Sequence, residues 1–176
     1  IRVKDVRAEQ TGTLSSLSLR VYGERDTGND MYVFTEEGFK TSTNRVLSDE
    51  SGIDTLNAAP MQHDMYVDLP KGLISSEGVT YTVAPWSVLE NIITGTGADN
   101  VIANDSANLV RTFEGNDSMQ GGLGNDTLDG GQGFDTVIYS GAIGEFNVSW
   151  NPTLKTVTVV DGKLDNGNEG TDTLMG

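Results

Sequence analysis

The chain has no cysteine, one histidine and four prolines among its 176 residues. Without thiolates, and with only His63 to offer an imidazole, a zinc or iron centre lacks the soft ligands it needs, and no disulfide framework can form. Basic residues are also scarce. Lys plus Arg total 11 against 26 for Asp plus Glu, a formal charge of −15, which excludes nucleic acid and anionic membrane as partners and leaves a cation as the natural counterpart. No apolar run approaches the roughly eighteen residues of a membrane span, so no membrane insertion is expected, and residues 1–10 do not resemble a cleavable signal peptide. Helical periodicity is nearly absent. Alternation and turn residues dominate instead, which predicts an all-β chain.

What is plentiful is glycine, at 22 residues, and much of it is ordered in sequence. Residues 94–138 repeat every nine positions, five times in phase, around G-G-x-G-x-D-x-U-x, where U is a large apolar residue. The copy Gly121-Gly122-Leu123-Gly124-Asn125-Asp126-Thr127-Leu128-Asp129 matches every fixed position, and residues 130–138 follow without a gap, with Gly131, Gly133, Asp135 and Val137 in place. Residues 94–102 keep Gly95, Gly97, Asp99 and Val101; residues 112–120 keep Gly115, Asp117 and Met119; residues 103–111 keep only Asn108 and Val110. Neutral Asn108 is expected to be a poorer cation ligand than the aspartates.

A single such stretch would read as a flexible loop. Five copies in phase read as a solenoid. Six residues make a turn in which glycine reaches positive φ cheaply and leaves carbonyls free to converge; three make a strand whose middle residue points inward. Carboxylates that stack at strand spacing, about 4.8 Å, repel one another, and a shell of hard carboxylate and carbonyl oxygens suits Ca²⁺. The motif resembles the RTX, or hemolysin-type, nonapeptide of parallel β-rolls. That resemblance implies two nonapeptides per coil, each turn lying on the turn eighteen residues away, and about three or four calcium ions. The expected ligands are Gly95, Gly97, Asp99, Asn108, Gly115, Asp117, Gly122, Gly124, Asp126, Gly131, Gly133 and Asp135, with Asp54 and Asp172 as outlying members. Asp99, Asp117 and Asp135 are expected on one edge. On the other, Asp126 is expected to face Asn108, with residues 139–144 as a next turn that has no carboxylate to offer.

Four segments follow. Residues 1–23 are similar to the last strands of the P-domain, the jelly roll behind the catalytic domain of kexin-like and furin-like subtilases, through Ile1, Val3, Asp5, Thr11-Gly12-Thr13-Leu14-Ser15-Ser16-Leu17-Ser18-Leu19 and Val21-Tyr22-Gly23. Leu17 stands where that family usually has tryptophan. Residues 24–93 contain Ser51-Gly52-Ile53-Asp54-Thr55-Leu56-Asn57 and Val88-Leu89-Glu90-Asn91-Ile92-Ile93, which resemble the lead-in of the serralysin C-terminal domain, and are expected to cap the roll. Residues 94–138 are the roll itself. Residues 139–176 are expected to form a β-hairpin, from Phe146, Val148 and Trp150 through Asn151-Pro152-Thr153-Leu154 to Val157 and Val159, followed by an isolated calcium turn, Gly170-Thr171-Asp172-Thr173-Leu174.

Other motifs carry less. His63 beside Asp64 has neither a nucleophile elbow nor a His-Glu-x-x-His around it. Asp161, Asp165 and Asp172 fall near EF-hand positions, but Lys163, Asn166 and the strand-like flanks break that pattern. Gly95-x-Gly97 and Gly122-x-Gly124 do not complete a nucleotide loop. The expected chain is therefore non-catalytic. The resemblances imply a calcium-binding module that folds outside the cell, is exported through a type I system, and serves a parent catalytic domain in the same polypeptide, a secreted bacterial subtilisin/kexin-like serine endopeptidase. The rival is a calcium-stiffened block of a surface-layer protein or adhesin; a third reading, the tail of a serralysin-type zinc protease, leaves the P-domain resemblance unexplained. Both ends are expected to continue into a longer polypeptide.

Overall fold

A computed structural model of the protein describes residues 28–43, 45–49, 51–163 and 169–176, and in it the nine-residue period becomes a stack of turns and short strands. The P-domain-like residues 1–23 lie outside the described residues. In chain order the elements are β1 (Met31–Val33), α1 (Glu36–Thr41), β2 (Val46–Leu47), β3 (Thr55–Asn57), β4 (Met65–Asp68), β5 (Leu73–Ser76), β6 (Val79–Val83), β7 (Asn91–Ile93), β8 (Asn100–Ile102), β9 (Leu109–Arg111), β10 (Ser118–Gln120), β11 (Thr127–Asp129), β12 (Thr136–Val137), β13 (Phe146–Asn151), β14 (Thr156–Asp161) and β15 (Thr171–Met175). They form two walls, one ordered β1-β3-β7-β9-β11-β15-β14-β13 and the other β12-β10-β8-β4-β5-β6-β2.

Successive nonapeptides alternate between the walls, so neighbours within a wall are eighteen residues apart. Met119 pairs with Val101 and Val137, and Leu128 with Val110, all in parallel register. A three-residue strand has one inward position, and the chain fills it with a large apolar side chain. Leu56, Ile92, Val110 and Leu128 from one wall meet Val67, Val101 and Met119 from the other, and each is at most 1% exposed. Burial of each contributes about 1.5–3 kcal/mol.

The walls do not stop at residue 93. β3 pairs with β7 and β7 with β9, while β4 pairs with β8, so the lead-in shares both sheets with the repeats. Farther down, the parallel pattern of the second wall gives way to the antiparallel strands β4, β5 and β6. Phe34, Phe39 and Tyr81 pack there with ring centroids 4.7–5.0 Å apart, and cover apolar surface that a solenoid end cannot leave in water. α1, which the sequence pattern does not reveal, is too short to show a period; Thr35 caps it by accepting the Gly38 N–H, and buried Phe39 anchors it.

The expected hairpin is present. β13 and β14 pair antiparallel, with Val148 opposite Val159 and Trp150 opposite Val157, and Asn151 Oδ1 accepts the N–H groups of Thr153 and Leu154 in the turn. The calcium turn expected to be isolated is not. β15 pairs antiparallel with β14 and parallel with β11, because the antiparallel hairpin brings the chain back beside the roll. Among the described residues no helix is long and apolar enough to cross a membrane.

The stack tolerates side chains unequally. A Cβ at Gly115, where φ is +138°, would run into the Gly97 carbonyl, whereas one at Gly144 meets nothing within 4 Å. Gly115→Ala is expected to destabilise the folded module by more than about 1 kcal/mol and Gly144→Ala to leave it within about 0.5 kcal/mol, measured by urea unfolding at saturating calcium. In the same assay Leu128→Ala is expected to cost about 2–5 kcal/mol.

Candidate metal centre

The sixth residue of each nonapeptide immediately precedes its strand and so lands at the edge of the walls, one coil above its predecessor. Its carboxylate reaches back to the backbone of that predecessor. On one edge Asp99 Oδ1 accepts the Met65 N–H at 2.8 Å, Asp117 Oδ1 the Asp99 N–H at 2.8 Å, and Asp135 Oδ1 the Asp117 N–H at 3.1 Å. On the other, Asp54 Oδ1 accepts from Asp30 at 2.7 Å, Glu90 Oε2 from Asp54 at 2.8 Å, Asp126 Oδ1 from Asn108 at 2.8 Å and Asp172 Oδ1 from Asp126 at 2.9 Å.

That bond uses one oxygen of each carboxylate. The second oxygens of Asp99, Asp117 and Asp126 are buried and have no hydrogen-bond partner, although each of these residues is only 2% exposed. None of the ion pairs among the described residues engages them. An orphaned buried carboxylate oxygen costs several kcal/mol, on the order of an unpaired buried charge, unless a cation or a proton meets it.

Backbone oxygens converge on the same edges. A Cβ on Gly122 would strike the Asn104 carbonyl, on Gly124 that of Ser106, on Gly131 that of Phe113, on Gly133 that of Gly115, and on Gly95 that of Met61; one on Gly97 would meet Asp64 and His63 backbone. Hydrogen alone fits at these positions, and at Gly115 the Gly97 carbonyl and the Asp117 carboxylate lie against the same point. The donors are all oxygen and all hard, and they fit Ca²⁺ in kind and in charge.

Burial pushes the carboxyl of Asp99 up to about 6 and that of Asp126 up to about 7, and raises Asp117 and Asp172 as well; the donors around them, the Thr94, Thr112 and Tyr139 hydroxyls and backbone N–H groups, oppose the shift, and the stacked neighbours Asp117, Asp135, Asp172 and Glu169 add to it. Asn108 is held differently. Its Nδ2 donates to the carbonyls of Glu90 at 3.1 Å and Leu89 at 3.3 Å, which leaves Oδ1 buried and unpartnered in the row of Asp126. It offers an oxygen without a charge, in the position expected of it.

The structure thus gathers Asp99, Asp117 and Asp135 with Gly95, Gly97, Gly115, Gly131 and Gly133 on one edge, and Asn108, Asp126 and Asp172 with Gly122 and Gly124 on the other. The expected carboxylate-free turn at residues 139–144 is corrected. Asp172 occupies the layer above Asp126, and Tyr139 instead donates its hydroxyl to Asp172 Oδ2 at 2.9 Å. Asp54 is part of the second edge but does not join the nonapeptide acids. It converges with Asp30 and Asp49, their carboxylate oxygens within 4.8 Å of one another; burial and then the Asp54 carboxylate push Asp49 up to about 6.

Sequence reasoning missed Asp30 and Asp49. Gly28-Asn29-Asp30 repeats the spacing of Gly52-Ile53-Asp54 and could have revealed the first, whereas Asp49 arrives from the opposite wall and left no signal. His63 lies half-exposed between Glu36 and Glu77, at 2.9 and 3.3 Å, in a surface cluster with Lys40. Asp161 and Asp172 are on antiparallel strands, not in an EF-hand loop, and both Asp161 oxygens accept backbone N–H groups, from Lys163 and Glu169; Asp165 lies outside the described residues.

A carboxyl raised from about 3.9 in the unfolded chain to about 6 or 7 takes up a proton on folding, so the ion-free fold loses stability as pH rises through that interval. In excess chelator the module is expected to be more structured at pH 5 than at pH 7.5, measured by circular dichroism during urea titration. Asp99→Asn/Asp126→Asn should flatten that dependence.

Residues 114–137 match the model of the RTX calcium-binding nonapeptide repeat (4 copies). No curated protein matches the chain. The all-β roll and its eighteen-residue coil agree with that match: residues 114–137 carry RTX calcium-binding nonapeptide repeats.

Proposed function

We propose that the chain is a non-catalytic module whose folding is completed by calcium outside the cell, and that it stabilises or aids the export of a secreted bacterial protease. The observation that carries the calcium dependence is the set of orphaned buried oxygens, Asp99 Oδ2 and Asp117 Oδ2 on one edge and Asn108 Oδ1 and Asp126 Oδ2 on the other. Calcium, when bound, supplies positive charge and a shell that accepts several oxygens at once. Asp99, Asp117 and Asp126 would hold it, while one oxygen of each ties successive coils together. The glycines admit carbonyls to the same space, and the inward residues exclude water behind it.

Three or four ions would offset six to eight of the 15 net negative charges, so binding and folding are linked. A protein held at cytosolic calcium stays incompletely folded, which suits passage through a type I exporter; at roughly 0.1–1 mM calcium, the range of extracellular modules, it folds. The subtilase-type serine endopeptidase as parent is supported by the P-domain resemblance of residues 1–23, and an upstream gene region of tandem repeats without Asp, His and Ser subtilase blocks would replace it with the adhesin reading.

Calcium titration followed by far-UV circular dichroism and calorimetry tests the first claim. Ellipticity is expected to gain β character with a midpoint of roughly 0.1–1 mM; a spectrum already β-rich in chelator and unchanged by calcium would refute it. No hydrolysis of casein, esters or polysaccharides is expected from the purified chain, and calcium-dependent cleavage would overturn the non-catalytic assignment.

A further inference from the structure

Among the described residues the two walls have four edges, and three of them are short. β1 ends the first wall with three residues, while β2 and β12 end the second with two residues each. A short edge offers too few backbone groups to template another strand. The fourth edge, β13, is different. Phe146–Asn151 runs for six residues, holds no charged residue and no proline, and keeps its register with β14 without a bulge. The devices by which sheets protect a long edge are missing from it.

The alternation of hydrogen bonds fixes which groups of β13 lie open. The Gly162 N–H donates to the Glu145 carbonyl, so that opposed pair is a hydrogen-bonded one. Counting in twos along the register makes Asn147–Val160, Ser149–Thr158 and Asn151–Thr156 hydrogen-bonded as well. On the other side of β14 the Asp161 N–H donates to the Gly170 carbonyl, as the same alternation requires. The N–H and C=O groups of Phe146, Val148 and Trp150 therefore point to the free edge. These three residues also carry the large apolar side chains of the strand, all on one face, and Val148 is 67% and Trp150 59% exposed.

An antiparallel strand complements itself when its centre lies on a two-fold axis. Setting Val148 opposite Val148 of a second copy places Phe146 opposite Trp150 and Trp150 opposite Phe146, each as a hydrogen-bonded pair, so every open N–H and C=O of the three residues finds a partner. The side chains on that face then meet as aromatic–aromatic and Val–Val pairs, combinations that stabilise sheets. Charge favours the same place. Copies that each carry −15 repel, but the pairing strand is neutral, Glu145 at its start is held by Lys163 at 2.7 Å, and the residue set opposite Glu145 is Asn151.

We propose that two copies of this chain associate by antiparallel pairing of β13 about Val148, which joins their first walls into one continuous sheet. The occupant of the edge is a second copy, because the register that satisfies the backbone also pairs the apolar side chains with one another. The contact is one strand wide and belongs with small, reversible interfaces, with an expected dissociation constant of roughly 10–100 μM.

Sedimentation velocity of the whole chain at saturating calcium, over a rising concentration series, is expected to show a monomer–dimer equilibrium. Val148→Lys sets two like charges against each other on the axis and is expected to raise the dissociation constant at least about tenfold. Val33→Lys, on the β1 edge, is expected to leave it unchanged. A wild type that stays monomeric across the series, which would leave the edge to another protein's strand, overturns the proposal; so does a dimer that Val148→Lys leaves intact. Cross-linking gives a second measurement that does not depend on Val148→Lys folding. The chain has no cysteine, and hydrogen-bonded partners lie about 5.5 Å apart at Cα, within disulfide reach. Val148→Cys is expected to form a disulfide dimer on mild oxidation, and Leu154→Cys, as exposed but in the turn, is not. Equal cross-linking of the two overturns the register.

Discussion

Stacked carboxylates at the two edges of the roll govern the rest of the structure. Each coil places its edge residue directly above that of the coil before it, an acid throughout except at Asn108, and one oxygen of each acid is spent on the backbone N–H below. This bond sets the spacing and the register of the edge. It also leaves the second oxygen buried and unsatisfied at Asp99, Asp117 and Asp126, in a chain with few basic residues to meet it. A fold assembled this way is incomplete in its charges, and a cation at these edges would complete them.

The hydrophobic interior cannot remove that dependence. Each three-residue strand contributes one inward side chain, so Val101, Val110, Met119 and Leu128 form a core one residue wide per coil. Such a core excludes water but supplies no positive charge to its edges. The base is built differently. The β4–β5–β6 meander and the Phe34–Phe39–Tyr81 cluster concentrate aromatic contact where the repeats have none. At the joint between base and repeats, the Asn104 and Asn108 amides donate to the Leu89 carbonyl, so amide N–H groups occupy part of the edge where other layers present only oxygens. The module thus joins a base held by apolar packing to a roll held by edge chemistry.

The nine-residue spacing, read without coordinates, pointed to the glycine turns, the short strands, the inward row and the acids of the repeats, while the eighteen-residue coil, and with it which acids share an edge, came from the resemblance to the RTX β-roll. The spacing could do so because each feature it pointed to repeats locally, and a local repeat is written in residue order. The hairpin at Phe146–Asn151 and Thr156–Asp161 was legible for the same reason, through alternation and the Asn-Pro turn. The short helix Glu36–Thr41 and the strand Val46–Leu47 were not, since neither is long enough to carry a period and both are held by tertiary packing.

What only the tertiary structure decided is which distant segments share a layer. Asp172 above Asp126, and Asp49 beside Asp54, are neighbours because the chain leaves the roll and returns, through an antiparallel hairpin in one case and from the opposite wall in the other. Excursions of unequal length erase the constant spacing on which a sequence period depends. The sequence determined what each turn could bind; the return path of the chain determined which turns would face each other.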